Sequence, residues 1–176
     1  MKKTIILAFL FSVSVNAAEL VALKDYLKTE LSSSAKMGKE SFNVSPADKK
    51  ELTAVCPDAD DTSFTFYYGR TADAKMEKAC VVVPQKGKEG PLSVGVCFND
   101  SGVISGVTIL SHEEERGKGI QEESYLKQFK GKKVADAFVL GKDVNGISGA
   151  TWSSKAMAEA TRKASFAFKK YVGSKK

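Results

Sequence analysis

The sequence predicts an α+β fold in a single domain, with a central antiparallel sheet flanked by helices. Three observations lead to this class. The chain has 176 residues, a length that suits one domain. Apolar and polar residues alternate through the middle of the chain as in strands, and apolar residues recur at helical spacing towards both ends. Hydrophobic residues make up 43% and charged residues 27%, a balance that excludes a disordered chain.

The N-terminus resembles a secretory signal peptide. A positive start, an apolar run and small residues for cleavage follow one another: Lys2 and Lys3, then Ile5 to Val15, then Ala17 and Ala18. The apolar run is well short of the roughly 20 residues that a membrane span needs. We expect residues 1–18 to be a signal peptide, cut after Ala17 or Ala18, and residues 19–176 to form an exported, periplasmic domain without a membrane span. A short buried helix is the alternative.

Charge and cysteine content exclude several classes of protein. The net charge of +6 falls to +4 once Lys2 and Lys3 are removed. Acidic and basic residues are interleaved, whereas a nucleic-acid-binding surface is one-sided, so no nucleic-acid partner is expected. His112 is the only histidine and the three cysteines form no CxxC pair. A metal site is therefore not predicted, and a thiol-based redox protein is the weakest interpretation.

Two helices are predicted in the first third of the chain. The first spans 19–34 and places four leucines on one face: Leu20, Leu23, Leu27 and Leu31. A polar stretch rich in serine and lysine follows. The second helix begins with Ser45 as its N-cap, Pro46 at the first helical position and Asp48 in the first turn, and ends near Pro57.

The middle of the chain predicts strands. Alternating or β-branched residues mark five of them: Phe64 to Tyr68, Cys80 to Val83, Leu92 to Phe98, Val103 to Leu110, and Phe138 to Leu140. The sequence Asn99-Asp100-Ser101-Gly102 is typical of a tight turn, so the third and fourth strands should form a hairpin.

Two further helices are predicted after the hairpin. A polar loop, 112–119, leads to a short helix over 121–129. The last helix is expected from near Ser153 to about Val172. Its inner stripe consists of Ala156, Ala160, Ala164 and Phe168.

Cys80 and Cys97 lie on two predicted strands joined by a loop around Gly87 to Gly90. If these strands pair antiparallel, the two cysteines can lie opposite each other on one face, close enough for a disulfide. An oxidising compartment favours the bond. The alternative is two buried residues that never react. Cys56 would remain as the odd thiol.

The segment 145–154 has the composition of a ligand-binding loop in front of a helix. It reads Asn-Gly-Ile-Ser-Gly-Ala-Thr-Trp-Ser-Ser. A helix N-terminus offers unpaired N–H groups and the positive end of a dipole, which suit a phosphate, and glycines let the backbone approach a ligand closely. On these grounds alone, simple capping of the helix by Thr151 or Ser153 is the preferred interpretation.

The ordered motifs, however, resemble the FMN-binding domain family. Ser148-Gly149-Ala150-Thr151, followed by two serines and an alanine-rich helix, is similar to the family's flavin-attachment motif. The hairpin 91–110, the loop 112–119 and the segment 125–131 follow the family's order and spacing, so the best-matched part covers roughly 90–172. Such domains occur in subunits of sodium-pumping quinone reductase and Rnf complexes and in small exported electron carriers.

The resemblance implies that FMN is bound covalently, through a phosphoester bond to Thr151. Ser148, Gly149 and Ala150 would shape the turn beneath the phosphate. Four residues of the preceding loop become candidates to line the flavin ring or its ribityl chain: His112, Glu114, Gly117 and Gly119. Trp152 is expected to pack in the core, as a lone tryptophan at a helix start usually does, and stacking near the flavin is the alternative.

Two parts of the sequence depart from the family pattern. An acid usually stands six residues before the modified threonine, where this chain has Asn145, although Asp143 lies two residues earlier. The loop usually carries Thr-Pro before its first glycine, where this chain has Glu115-Arg116. Lys118 replaces an apolar residue of the same loop.

The family resemblance implies an exported electron-transfer flavoprotein, a carrier rather than a complete enzyme, so no catalytic residue is predicted. It also implies an exported FAD:protein FMN transferase for maturation, and redox donor and acceptor proteins as partners. The alternative is a flavin-free periplasmic binding or structural module of the same fold, which Asn145 favours.

Overall fold

The computed structural model describes residues 18–175. Residues 1–17, which hold most of the predicted signal peptide, lie outside the described residues. Within 18–175, no helix combines the length and the apolar character that crossing a membrane requires.

Six strands form one antiparallel sheet. They are β1 (Ala18–Glu19), β2 (Lys36–Asn43), β3 (Ser63–Arg70), β4 (Met76–Lys86), β5 (Pro91–Asn99) and β6 (Ile104–His112). Their order across the sheet is β1-β6-β5-β4-β3-β2, and every neighbouring pair is antiparallel. The long strands β3 to β6 are therefore sequential neighbours, as hairpin connections produce, and β1 and β2 form the two edges.

Helices cover both faces of the sheet, which confirms the predicted fold class. They are α1 (Leu23–Glu30), α2 (Pro46–Val55), α3 (Glu123–Leu126) and α4 (Thr151–Ala167). α4 packs across β4 and β5 and continues as a π-helical turn, Phe168–Val172. α2 also contacts α4. α1 packs on the opposite side of the sheet, where Tyr26 lies against Gly95 of β5.

Strand alternation divides the core into two clusters, because successive side chains of a strand point to opposite faces. Val81, Val96 and Phe98 point to the face covered by α4, here called the α4 face, and join its large apolar cluster. Cys80 and Cys97 point to the face covered by α1, here called the α1 face. Their smaller cluster is completed by Tyr26, Leu31 and Leu110.

A disulfide joins the two strands at the centre of the α1 face. Cys80 and Cys97 are directly opposite in the β4–β5 register and are bonded to each other. The Tyr26 hydroxyl lies 3.0 Å from Cys97 Sγ. Burial raises the pKa of Tyr26, and a disulfide sulfur has no hydrogen, so the phenol is the donor. Cys56 stays free and buried, and burial raises the pKa of its thiol to about 11.

Several predicted helical features are confirmed. Ser45 Oγ accepts a hydrogen bond from Asp48 N at 3.1 Å, and Asp48 Oδ2 accepts one from Ser45 N at 3.4 Å, which is a complete capping box at the start of α2. α2 ends at Val55, close to the expected end. The inner stripe of α4 is buried throughout, although the helix begins two residues earlier than expected.

Three parts of the chain differ from the prediction. The first helix is shorter than the predicted 19–34: α1 begins at Leu23, because the chain around Leu20 bonds to Leu110 O beside β6, and it ends at Glu30. Leu20 and Leu23 are exposed. β2 lies in the polar stretch for which no strand was predicted. Phe138 to Leu140 is not a strand: Phe138 has a φ of +48°, and the Asp143 carboxylate accepts hydrogen bonds from its N–H and from Val139 N.

Candidate functional site

The start of α4 follows a tight turn. Gly149 has a φ of +79°, a left-handed conformation that glycine adopts without steric cost. Ala150 N donates to Ile147 O at 3.0 Å and closes the turn. Ala150 is the N-cap residue and has no polar side chain, so the expected capping by Thr151 or Ser153 is wrong. The N-cap therefore supplies no side-chain acceptor to the first N–H groups of this helix.

The three hydroxyl side chains of the first turn have different roles. Ser154 is fully buried, and its Oγ accepts a hydrogen bond from Ile147 N at 3.0 Å. Ser153 is also buried and donates to Glu114 Oε2. Thr151 is exposed. The two serines thus fasten neighbouring loops to the helix, and Thr151 presents its hydroxyl to solvent.

Glu114 joins three segments of the chain. Its side chain is 2% exposed, and its Oε1 accepts hydrogen bonds from Lys88 N at 2.7 Å and Glu89 N at 3.0 Å. Its Oε2 accepts the bond from Ser153. Burial acts to raise the pKa of Glu114, but these hydrogen bonds outweigh burial and lower the pKa below its ordinary value. The ionised carboxylate therefore holds the β4–β5 turn and the loop after β6 against α4.

Gly117 and Gly119 permit close packing of their loop against the start of α4 and the turn that precedes it. A Cβ added at Gly117 would collide with the Ser153 side chain, and one at Gly119 would lie 3.2 Å from Ile147 Cδ1. The Gly-x-Gly spacing therefore brings the loop into contact with the start of α4. A direct contact of these glycines with a flavin stays a prediction.

His112 ends β6 and is 5% exposed. Its Nδ1 accepts a hydrogen bond from Glu114 N at 3.0 Å, and its Nε2 lies 3.3 Å from Gln121 Oε1. Since Nδ1 is the acceptor, the neutral ring carries its proton on Nε2 and donates it to Gln121. Both ring nitrogens are thus engaged inside the loop, where His112 positions Glu114. Its predicted contact with a flavin stays a prediction.

Two clefts open near the start of α4, and Thr151 lines the smaller one. The small cleft, of about 130 Å³, is lined by the turn 149–153 together with Glu114 and Gly117, and by Lys88, Glu89 and Arg116. The large cleft has a volume of about 360 Å³. Its lining comprises Asp58, Gln85, Lys86, Gly87, Trp152, Lys155, Ala156 and Glu159. Trp152 lines both clefts.

Trp152 is not a core residue, contrary to expectation. Its side chain is 64% exposed, and the nearest cation is Lys155, whose Nζ lies 5.8 Å from the ring centroid. The indole therefore stands at the surface directly after Thr151.

The position of the family's acid is occupied by an exposed asparagine. Asn145 N donates to Gln128 Oε1 at 2.7 Å, and Gln128 Nε2 donates to Asn145 O at 3.3 Å. Asp143 is engaged in its own turn, through hydrogen bonds from Phe138 N at 2.9 Å and Val139 N at 2.6 Å. Burial acts to raise the pKa of Asp143, but the hydrogen bonds lower it. Asp143 thus stabilises the turn that contains Phe138 and Val139.

Sequence reasoning missed a buried ion pair near the large cleft. Lys163 Nζ lies 3.0 Å from Asp61 Oδ2, both side chains are 3% exposed, and Lys163 also donates to Pro84 O. Lys163 thus links α4 to Asp61, before β3, and to Pro84 of β4, just before Gln85. The signal was present, because Lys163 lies seven residues after Ala156 and therefore on the inner stripe of the helix.

The arrangement is suited to holding a phosphate ester. An exposed threonine stands at the N-terminus of a 17-residue helix. Lys88 and Arg116 line the same cleft, together with Glu89 and Glu114. The helix dipole and two cations all favour a negative charge at this position.

The chain resembles known proteins in its fold and in part of its sequence. No curated protein matches the chain. Two solved structures share its fold: one component of the Na(+)-translocating NADH-quinone reductase from Parabacteroides distasonis, and NqrC from Shewanella oneidensis. The first is 19% identical, with 75% of this chain and 76% of that chain covered and a TM-score of 0.53. The second is 16% identical, with 85% and 88% covered and a TM-score of 0.60.

Likeness at such low identity shows the fold alone, but a sequence family also matches. Residues 87–165 match the FMN-binding domain. This segment contains the β5–β6 hairpin, the loop after it and the turn that leads into α4. The resemblance inferred from the motifs is confirmed for residues 87–165, which match the model of the FMN-binding domain family.

Proposed function

We propose that this chain is an exported electron-transfer flavoprotein that carries FMN through a phosphoester bond to Thr151. The observation that carries the proposal is the exposed hydroxyl of Thr151 at the first residue of α4, inside the family-matched segment. FMN, when bound, supplies a redox centre that can transfer one or two electrons.

The residues around Thr151 fit the phosphate of such a group. The first N–H groups of α4 and the positive end of its dipole favour an anion beside Thr151. Arg116 and Lys88 add positive charge in the same cleft. Glu114 also lines this cleft, but its carboxylate oxygens are engaged by Ser153 and by two backbone N–H groups. Its charge is therefore compensated within the protein.

Attachment requires help from another protein, because a threonine hydroxyl is a poor nucleophile without activation. We propose an exported FAD:protein FMN transferase, acting with a divalent metal, as the maturation partner. The chain itself supplies the acceptor hydroxyl and the turn 147–150 that displays it. Residues 1–18 would direct export to the periplasm, and redox donor and acceptor proteins would then exchange electrons with the mature domain.

The test is mass spectrometry of the peptide that contains Thr151, after co-expression with such a transferase. The expected result is a mass increase equal to esterified FMN on this peptide. Thr151→Ala should abolish the modification without unfolding the domain, because the side chain is exposed. Thr151→Ser should retain part of it, because the hydroxyl remains. An unmodified peptide from correctly exported protein would favour the alternative, a flavin-free module of the same fold.

Asn145 is the feature that favours this alternative. Its side chain is exposed at the position of the family's acid, so a carboxylate there would be accessible to a transferase. If recognition limits attachment, Asn145→Asp should raise the flavin-bearing fraction at equal transferase expression. Lys142→Asp, which places the same acid at an exposed position three residues earlier, is the matched control and should leave that fraction unchanged.

A further inference from the structure

Trp152 is the only tryptophan of the chain and follows the proposed attachment residue directly. At 64% exposure it is, after Met37 at 68%, the most exposed large hydrophobic side chain of residues 19–174. An indole is usually largely buried, because it is among the most costly side chains to leave in water. Such an exposed indole beside a proposed cofactor site indicates that a ligand covers it.

The protein itself covers Trp152 only sparsely. Lys155 Nζ, at 5.8 Å from the ring centroid, lies near the outer limit of a cation–π contact. Lys155 is itself largely exposed and pairs with Glu159 at 3.7 Å. With Lys155 as a distant neighbour, most of the Trp152 side chain remains accessible to a ligand.

Trp152 lines both clefts, and Thr151 lines the small one. A cofactor tethered at Thr151 would therefore pass the indole on its way into the large cleft. The large cleft, at about 360 Å³, falls within the volume range of small-molecule sites, roughly 300–1,000 Å³, whereas the small cleft does not. The lining of the large cleft includes the small residues Gly87 and Ala156 beside the indole.

The polar groups of the large cleft suit a ring system with an apolar and a polar edge. Gln85 is 9% exposed, and its Nε2 donates to Glu159 Oε2 at 3.2 Å. This hydrogen bond holds an amide and a carboxylate in the lining of the cleft. An aromatic ring in the cleft would thus find both an indole and hydrogen-bonding groups in its lining.

We propose that Trp152 is the ring-contact residue of this site: its indole packs against the isoalloxazine ring of an FMN held at Thr151, in the large cleft. The inference rests on the proposed attachment of FMN and adds to it the direction in which the cofactor extends. Aromatic rings gain from offset or edge contacts with each other beyond the area that they bury.

The test is the fluorescence of the flavin attached to the full chain, because contact with an indole quenches flavin emission. Emission per bound flavin is compared in the wild type, Trp152→Leu, Trp152→Phe and Tyr67→Leu at equal flavin absorbance. Trp152→Leu should raise the emission several-fold, and Trp152→Phe should give an intermediate value. Tyr67 is a partly buried aromatic residue on the α1 face, so Tyr67→Leu is the matched control and should leave the emission unchanged.

Each outcome decides the question. Equal emission from the wild type and Trp152→Leu, with flavin shown on both by mass, overturns the contact and leaves the attachment standing. An equal rise in Tyr67→Leu overturns it as well, because the effect is then not local. A wild-type chain that acquires no flavin overturns the attachment and the contact together.

Discussion

The two faces of the sheet are stabilised by different means. On the α4 face, a 17-residue helix covers a cluster in which Phe66, Phe98 and Phe168 are almost fully buried. On the α1 face, an eight-residue helix supplies Tyr26 and Leu31, and a disulfide lies beneath them. The α4 face is stabilised by burial of its large apolar cluster. The α1 face has a smaller apolar cluster and is stabilised in addition by a covalent link between two neighbouring strands.

The candidate site belongs to only one of these faces. The β4–β5 turn, the loop after β6 and the turn before α4 all meet at the start of α4, where Glu114, Ser153 and Ser154 connect them. The geometry around Thr151 should therefore depend on the core beneath α4 and be insensitive to the α1 face. The predictions below test this difference, beginning with the largest expected effect.

Phe98→Ala should cause the largest loss of stability. Phe98 is fully buried, and its ring centroid lies 4.7 Å from that of Phe168. Removing the ring leaves a cavity under α4, which should cost about 3–5 kcal/mol in the free energy of unfolding. Denaturant titration measures this loss. Met37→Ala, at a residue that is 68% exposed, is the control and should change stability by less than about 0.5 kcal/mol.

Removing the disulfide should have the next largest effect. The double variant Cys80→Ala/Cys97→Ala should lose about 2–4 kcal/mol in the free energy of unfolding. The reason is that the unfolded chain is no longer restricted by a closed loop between these residues. Covalent flavin at Thr151 should be retained, since the α1 face does not hold the site. Adding a reductant should lower the stability of Cys56→Ala as much as that of the wild type, because Cys56 is not part of the disulfide. Alkylation of Cys80 in the untreated protein would contradict the pairing.

Elements with a strong local pattern were predictable. The β5–β6 hairpin follows from alternation and its turn residues, and α4 follows from an alanine stripe that needs no distant partner. β2 was not predictable, because this edge strand is almost entirely exposed and takes its structure from pairing with β3. The start of α1 was over-predicted because its leucine spacing carries no information about the competing bond to Leu110.

The candidate site was predictable in its motif but not in its contacts. The segment around Thr151 was recognised from local sequence, and the structure places it at the start of α4. The bonds from Lys88 N and Glu89 N to Glu114 join residues 26 and 25 positions apart, which no local pattern reveals. The exposure of Trp152 was missed for the opposite reason, since burial is the usual state of an indole.

Glu114→Gln should lower the free energy of unfolding at neutral pH by about 1–3 kcal/mol, less than loss of the disulfide. The reason is that two backbone N–H groups and the buried Ser153 lose a charged acceptor. The pKa of Glu114 is lowered in the folded protein from an ordinary value of 4.5. Its contribution is therefore present above that value and is lost as the pH falls through the folded pKa. Unfolding measured at neutral pH and again in acid should show the difference between wild type and Glu114→Gln shrinking. A constant difference would contradict the assignment of an ionised Glu114.

Tyr26→Phe should have the smallest effect and sharpens the comparison from the α1 face. The variant keeps the ring that packs on Gly95 and removes only the hydroxyl that donates to Cys97 Sγ. A disulfide sulfur is a weak acceptor, so the loss should be about 0.5–1.5 kcal/mol at most. Repeating the change in the Cys80→Ala/Cys97→Ala background completes a double-mutant cycle. The loss in free energy of unfolding on removing the hydroxyl should differ between this background and the wild type, because the hydroxyl contacts the disulfide directly. Independent effects would mean that the hydroxyl and the disulfide stabilise this face separately. A flavin-bearing fraction that fell in either variant would mean that the site does depend on the α1 face.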